Sequence, residues 1–349
     1  MIEGIKDKSQ WNAELSLIKH LDVYHTYDYH HISKNEDDLP ILLKYTEGNT
    51  TLLLPLLFRP IENTGYNDAT SVYGYAGLLT ANIDIDFDKR NFQKELHEFF
   101  VENKIVSVFS RLHPYIKHQE KPLVGLGSIT ALGQVVYIDL NDTLEDQRKM
   151  FNRRMKTYLN KSRKICTVIE SKREDHLQTF MELYRDTMTR VNADKRYFFS
   201  DDYFKQLMSS KDFEAKLLLN IHNESQSMSG GALFLVKGNF VQYHLSALNE
   251  DFHDLNSIKL IIDEMRIKST NSEFDYLNLG GGRGSNEDSL FAFKSSFSKK
   301  FKDFKIWKYI VDEKMYDILT ENHLRESTEN EHIDPEFFPA YRSSVNMHS

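Results

Sequence analysis

Two stretches of strand-like apolar residues in this chain are each interrupted by a glycine–asparagine pair. In "ILLKYTEGNTTLLLPLLFRPI" Gly48-Asn49 separates two apolar runs, and in "GALFLVKGNFVQYHLSA" Gly238-Asn239 separates two runs in which apolar and polar residues alternate. A loop of these two residues suits a tight hairpin, because the left-handed conformations it needs cost glycine and asparagine little. Each stretch therefore predicts a pair of antiparallel strands. The period then changes. "NFQKELHEFFVEN" sets Phe92, Leu96, Phe99 and Phe100 on one helical face, and "NSIKLIIDEMRIKS" does the same with Ile258, Ile261, Ile262 and Met265. A strand-like run follows each helix, "IVSVFSRL" in the first case and "FDYLNLG" in the second. The order hairpin, helix, strand occurs twice and predicts two similar mixed α/β units in tandem.

Between them, "TLEDQRKMFNRRMKTYLNKSRK" from Thr143 to Lys164 reads as one helix, capped by Thr143 or Asp142, with Leu144, Met150, Met155, Tyr158 and Leu159 as its less polar positions. Its cationic residues are Arg148, Lys149, Arg153, Arg154, Lys156, Lys161, Arg163 and Lys164, which form either a solvated face or a surface that meets a phosphate-bearing ligand. The expected organisation is an N-terminal unit over residues 1–150, a C-terminal unit over 151–320, and a polar, partly disordered tail over 321–349.

Length agrees with two domains, since 349 residues exceed the ~150 typical of one. With 44 basic against 52 acidic residues the formal net charge is -8, which argues against a surface devoted to nucleic acid while leaving room for a local basic patch. The longest apolar run, "LLLPLLF" from Leu52 to Phe58, is far short of the ~20 residues that a membrane span needs. The opening "MIEGIKDKSQW" has no apolar signal core, and the single cysteine, Cys166, excludes an internal disulfide framework and a cysteine zinc site. A cytoplasmic protein without a transmembrane segment is expected.

Several constellations invite chemistry. "YHTYDYHH" brings His25, Asp28, His30 and His31 together, but its spacing fits no standard zinc pattern, and alternating aromatic and polar residues suit a half-buried strand, so no metal is expected. Cys166 lies in the apolar "ICTVIE" and reads as a buried thiol. "GGGRGS", Gly280 to Ser285, ends a strand but lacks the lysine and hydroxyl residue of a P-loop and the last glycine of the dinucleotide fingerprint. Gly281 and Gly282 still permit a close backbone approach to a ligand, with Arg283 as a charged donor; the alternative is a turn needed only for tight packing.

The course of these segments carries a resemblance. "GGALFLVKGNFVQYHLSA", a helix, "FDYLNLGGG" and then "LFAFKSSFSKKF" resembles the second domain of the Fem family of peptidoglycan interpeptide-bridge aminoacyltransferases, which close on an F-K-x-x-F motif. "SVYGYAGLL", Ser71 to Leu79, is similar to the tyrosine-glycine segment of the family's first domain, so the likeness runs from about Tyr24 to Tyr309. It implies an α/β fold of two tandem GNAT-like acyltransferase domains, with substrate in a cleft between or beside them. It also implies no tightly bound cofactor, an activated acyl donor (aminoacyl-tRNA or acyl-coenzyme A) as co-substrate, and a nucleotide- or lipid-linked glycan precursor as acceptor, with charged tRNA as a partner. Three features depart from the pattern. Ser298 stands where the family's motif continues with glycine, no pair of long helices is spare for the arm of the tRNA-dependent members, and "LNEDFHDLNS" replaces the loop by which acetyltransferases hold the pyrophosphate of coenzyme A.

The implied chemistry is attack of a neutral amine on an activated carbonyl, helped by proximity and by stabilisation of the oxyanion. Lys294 is the expected catalytic cation, framed by Phe293 and Phe297, with Tyr243 or a substrate group as the proton acceptor. Tyr73, Tyr75, Arg111 and His113 are expected to hold the acceptor, since an arginine at a strand end suits a phosphate or carboxylate. Three readings stay open: an aminoacyl- or acyltransferase acting on peptidoglycan or surface-polysaccharide precursors, a coenzyme A-dependent N-acetyltransferase, and a non-catalytic binding protein that keeps the fold.

Overall fold

The structure is a computed structural model describing residues 1–83, 86–326 and 337–343. Its strands are β1 (Glu3–Ile5), β2 (Leu39–Glu47), β3 (Thr50–Ile61), β4 (Tyr66–Thr70), β5 (Leu79–Ala81), β6 (Ile105–Arg111), β7 (Ser128–Asp139), β8 (Cys166–Ser171), β9 (Glu214–His222), β10 (Met228–Lys237), β11 (Phe240–Leu248), β12 (Tyr276–Gly280) and β13 (Lys300–Ile310). The α-helices are α1 (Lys8–Leu15), α2 (Tyr27–Ser33), α3 (Lys89–Glu102), α4 (Glu120–Leu123), α5 (Leu144–Lys149), α6 (Arg153–Ile165), α7 (Glu174–Arg190), α8 (Asp201–Ser209), α9 (Ser257–Asn271), α10 (Ser289–Lys294) and α11 (Glu313–Glu326). The chain divides into two units: residues 1–19, 33–132 and 304–349 form the first, and residues 20–32 and 133–303 the second.

The first unit orders its strands β1-β2-β3-β4-β6-β13, and the second orders its own β8-β9-β10-β11-β12-β7. Every neighbouring pair is antiparallel except one in each unit, β4 with β6 and β11 with β12, which run parallel. Both units thus share the same order of six strands, with the parallel pair at the same place, and in the first unit β5 also pairs with β3. Each parallel pair needs a crossover, supplied by α3 in one unit and α9 in the other. Phe92, Leu96 and Phe100 of α3 are buried in the first core, as are Leu260, Ile261, Ile262 and Met265 of α9 in the second. The sixth strand of each unit comes from the other half of the chain: β13 pairs with β6, and β7 pairs with β12. The return of β13 gives the first unit its last segment, and residues 20–32 are what make the second unit discontinuous. β7 carries the start of the second unit back to residue 133, so the boundary expected at residue 150 falls inside it.

The two glycine–asparagine hairpins form where expected, but they are not equivalent. Gly48-Asn49 joins the second and third strands of its sheet, whereas Gly238-Asn239 joins the third and fourth. The true counterpart of the second hairpin is the β3–β4 turn, where Asn63 and Gly65 take up left-handed conformations.

Three further expectations are corrected. The basic segment is two helices, because Asn152 turns its side chain onto the Met155 N–H and starts α6 afresh, while Thr143 caps α5. Its cations also divide: Arg163 pairs with the buried Asp263 and with Glu264 of α9 at 2.7 and 2.6 Å, whereas Arg153, Arg154, Lys161 and Lys164 are exposed. "YHTYDYHH" contains the helix α2 rather than a strand, burying Tyr29 and His30. Part of the expected tail is ordered structure. α11 runs to Glu326, and Tyr341 is buried with its hydroxyl 2.8 Å from Ser107 Oγ, while Arg342 pairs with the buried Asp68. Residues 327–336 and 344–349 of that tail lie outside the described residues. Cys166 is buried in the second core. Among the described residues, no helix is long and apolar enough to cross a membrane.

Candidate active site

Parallel strands that part company leave a crevice at their carboxyl ends, and such crevices are where open α/β sheets bind ligands. In the second unit β11 and β12 pair only over Phe240–Gln242 and Tyr276–Asn278. Beyond that point β11 is bulged at His244, its pairing with β10 stepping from Tyr243 to Leu245, and β12 enters the glycine turn. A bulge twists and bends its strand, which re-aims the side chains past it.

The turn is shaped by what lies against it. Gly280 has φ +77°, and a Cβ there would stand 3.3 Å from Lys294 Nζ; at Gly282 a Cβ would meet Asn286 O at 1.9 Å and Asp288 Oδ1 at 2.5 Å. The glycines thus let the backbone close upon α10. Asp288 caps that helix by accepting from Phe291 N at 3.0 Å, and it also accepts from Arg283 Nε at 2.9 Å. These bonds hold its carboxyl down to about 2 and tie Arg283, otherwise exposed, to the helix start.

α10 is one and a half turns long and delivers Lys294 from its last residue into the fold. The side chain is only 8% exposed, and Nζ donates to Gly281 O at 2.6 Å. Among the described residues no carboxylate lies within salt-bridge distance of this ammonium. Burial lowers Lys294 from its ordinary range to about 8, while Asp288 works in the opposite sense. Phe297 is fully buried, with its ring 5.6 Å from that of Phe293 and 5.8 Å from that of Phe151. Ser298, also buried, accepts from Lys300 N at 3.1 Å, so it closes the motif by holding the entry into β13.

Tyr243 packs on the same apolar cluster, its ring 5.7 Å from Phe234, and donates to Ser246 Oγ at 2.6 Å. Burial pushes the phenol up to about 12, so it stays protonated and keeps its role as the donor to Ser246. On the neighbouring bulge residue, His244 Nε2 lies 2.8 Å from Tyr203 OH, and burial brings the imidazole down to about 4, so it is neutral.

In the first unit the equivalent opening follows Thr70 and Phe109, the last paired residues of β4 and β6. Here Arg111, Tyr73 and Tyr75, three of the four residues expected to hold an acceptor, lie together, while His113 contacts Gln119 and Tyr115. The Arg111 guanidinium lies 5.9 Å from the Tyr73 ring centre and 5.2 Å from that of Phe109, and its charge also reaches Tyr75, whose phenol burial pushes up to about 12. Tyr73 is 59% exposed and Tyr75 packs edge-on against Phe304 at 5.2 Å. His113 is buried; Gln119 accepts from its backbone N at 2.9 Å and donates to its carbonyl at 2.8 Å. Gln119 was not singled out by sequence, yet it locks the strand end; a Cβ on Gly77 would strike its Oε1 at 1.9 Å.

The segment "LNEDFHDLNS" forms a 3-10 turn over Glu250–Leu255 ahead of α9, with Asn256 in a left-handed conformation that caps no helix N–H with its side chain. It contains no glycine and sets Glu250, Asp251 and Asp254 before the helix start. Like charges there disfavour a pyrophosphate, which a glycine loop at a helix N-terminus would welcome.

No protein-family model matches the chain, and no curated protein does. Solved structures do match. FemX superposes with a TM-score of 0.70 at 14% identity, over 90% of this chain and 99% of that one. The C-terminal domain named for lysylphosphatidylglycerol synthetase from Agrobacterium fabrum gives 0.55 at 14% identity, over 86% and 91%. A conserved protein of unknown function from Bacteroides thetaiotaomicron gives 0.57 at 9% identity, over 88% and 100%. The duplicated sheet, its parallel pairs and this coverage together give the chain the tandem GNAT-like α/β fold of FemX.

Proposed function

We propose that the chain is an acyltransferase of the Fem type, moving an aminoacyl or acyl group from an activated donor to an amine on a cell-envelope precursor. One observation carries the reading: a buried lysine at the carboxyl end of a parallel strand pair, donating to the Gly281 carbonyl, with no carboxylate within salt-bridge distance among the described residues. An unpaired buried cation is costly, and sites that use charge are where such costs are met. An oxyanion forming beside Lys294 would supply the missing negative charge.

In this reading the acceptor nitrogen bonds to the donor carbonyl carbon, and the carbonyl electrons move to oxygen, facing the Lys294 ammonium. The bond to the leaving oxygen or sulfur then breaks, and Lys294, acidic enough at about 8, passes its proton to it; the proton lost by the amine goes to solvent, from which Lys294 is recharged. Lys294 keeps only 8% of its surface exposed, so its ammonium is poorly hydrated, which strengthens its field. In the first unit, Arg111 among Tyr73, Tyr75 and Phe109 suits a phosphate group. The acidic turn before α9 favours an ester-linked aminoacyl donor over a coenzyme A thioester.

Thermal melting in the presence of each donor tests this. A rise with aminoacyl-tRNA and none with acyl-coenzyme A is expected. A rise with acyl-coenzyme A alone would transfer the assignment to a coenzyme A-dependent enzyme, and no rise with either would leave a binding protein.

A further inference from the structure

Beneath the glycine turn lies a row of buried polar side chains that the proposed chemistry does not touch. Gln242 and Asn278 are cross-strand partners at the last paired position of β11 and β12. Both are buried, as is Asp22, which belongs to the same unit and reaches them from the N-terminal segment. Gln242 Nε2 donates to Asp22 Oδ2, Asn278 Nδ2 donates to Gln242 Oε1 at 2.8 Å, and Gly280 N donates to Asn278 Oδ1 at 3.1 Å. Tyr24 OH adds a long bond of 3.4 Å to Gln242 Oε1.

The direction of this row is set at one end. Asp22 accepts on both oxygens, from Val23 N at 2.6 Å on Oδ1 and from Gln242 on Oδ2. A carboxylate offers no proton, so Gln242 must turn its amide nitrogen towards Asp22 and its oxygen towards Asn278. Asn278 must in turn present its nitrogen to Gln242, which leaves its oxygen for the Gly280 N–H. One residue further on, Gly281 O receives the Lys294 ammonium. We propose that Asp22, Gln242 and Asn278 are positioning residues that hold the glycine turn in place and so aim the Gly281 carbonyl at Lys294. A half-satisfied row of buried amides is worse than none, so a polarity error at one end is transmitted to the other.

The proposal deepens the reading of Lys294 given above, yet its test uses no turnover, so the two fail separately. In Asp22→Asn the new side chain keeps Oδ1 for Val23 N and presents an NH2 group to Gln242. That turns Gln242 and then Asn278 around, bringing the Asn278 NH2 against the Gly280 N–H. The double variant D22N/N278D restores an acceptor at every donor, with the carboxylate moved to the far end. Lys294 is followed by NMR of lysine side chains labelled with carbon-13, assigned by Lys294→Arg, alongside thermal melts.

In Asp22→Asn the Lys294 titration should fall by about one pH unit, a tenfold change in its proton equilibrium, since the charged form loses its acceptor. Melting temperature should also fall. D22N/N278D should recover the melting temperature and lift the titration back to or above that of the parent, because a carboxylate now stands nearer. A melting loss in Asp22→Asn with an unchanged Lys294 titration would overturn the proposal and leave the row as core structure alone. So would a double variant no better than the single one.

Discussion

Replacing Lys294 by methionine separates charge from packing at the candidate site, because the two side chains have similar length and only one carries an ammonium. The effect on folding follows from two opposed terms. Holding this lysine at about 8 instead of its ordinary 10.5 means that its buried charge costs about 3 kcal/mol below pH 8. Methionine removes that net cost, in which the bond to Gly281 O is already included, but it leaves the buried carbonyl without its Lys294 donor, at ~1–3 kcal/mol. These nearly cancel, so the melt should stay close to that of the parent. Turnover should not. If the ammonium meets an oxyanion that exists only in the transition state, its loss should lower kcat by roughly a hundredfold or more, as for one oxyanion donor at ~3 kcal/mol. Phe297→Ala is the control, since this ring is 0% exposed and its removal should cost ~3–5 kcal/mol of stability. Initial rates of acyl transfer and thermal melts on both variants decide the matter. A Lys294→Met protein with near-parental kcat would refute the electrostatic role, and one that melts far below the parent would refute the cancellation.

Three further outcomes follow from the same structure. The folded-state Lys294 binds its proton less tightly than the unfolded chain does, so between pH 8 and 10.5 its contribution to stability should rise with pH, and urea denaturation should find that rise absent in Lys294→Met. Arg111→Ala should weaken binding of a nucleotide-sugar by about 10- to 100-fold, the worth of one charged hydrogen bond, and added salt should weaken the parent more than the variant, measured by calorimetry. Gly282→Ala drives a Cβ to 1.9 Å from Asn286 O and should displace the turn and lower the melting temperature well beyond Gly284→Ala, where the nearest atom is 3.5 Å away; Gly284 has φ +58°, so its own substitution should cost only ~1 kcal/mol.

The parts of the fold that were legible in the sequence are those governed by neighbours in the chain. Gly48-Asn49 and Gly238-Asn239 give hairpins because the turn chemistry is local, and α3 and α9 follow from apolar spacing that the cores then bury. The equivalence of the two repeats was read one strand out of step. The β3–β4 turn uses Asn63 and Gly65, two residues apart, and so lacks the compact signal that marks β10–β11. The exchange of β7 and β13 was invisible, since no local pattern says which distant strand completes a sheet. A short aromatic segment such as "YHTYDYHH" suits strand or helix by alternation alone, and tertiary burial of Tyr29 and His30 selected the helix.

The candidate site divides in the same way. Lys294, Phe293 and Phe297 stood out by motif, and the glycine turn by composition; the structure adds that Gly281 O and Lys294 Nζ meet. Arg283 looked like a ligand donor, and its tie to Asp288 appears only with the fold. Asp22, Gln242 and Asn278 could not be found from spacing, because they are joined across 220 and 36 positions of chain. A polar residue inside each of two strand patterns, "FVQYH" and "YLNLG", was the available hint.

The central claim is that this chain transfers an acyl group to an amine with Lys294 at the reacting centre. Mass spectrometry of a nucleotide-linked peptidoglycan precursor, incubated with the protein and a pool of aminoacyl-tRNAs, tests it most directly. The account expects the precursor to gain the mass of one aminoacyl residue on an amine, with the parent protein and not with Lys294→Met. A precursor that binds but stays unmodified with aminoacyl-tRNA and with acyl-coenzyme A alike, or equal product from Lys294→Met, would contradict it.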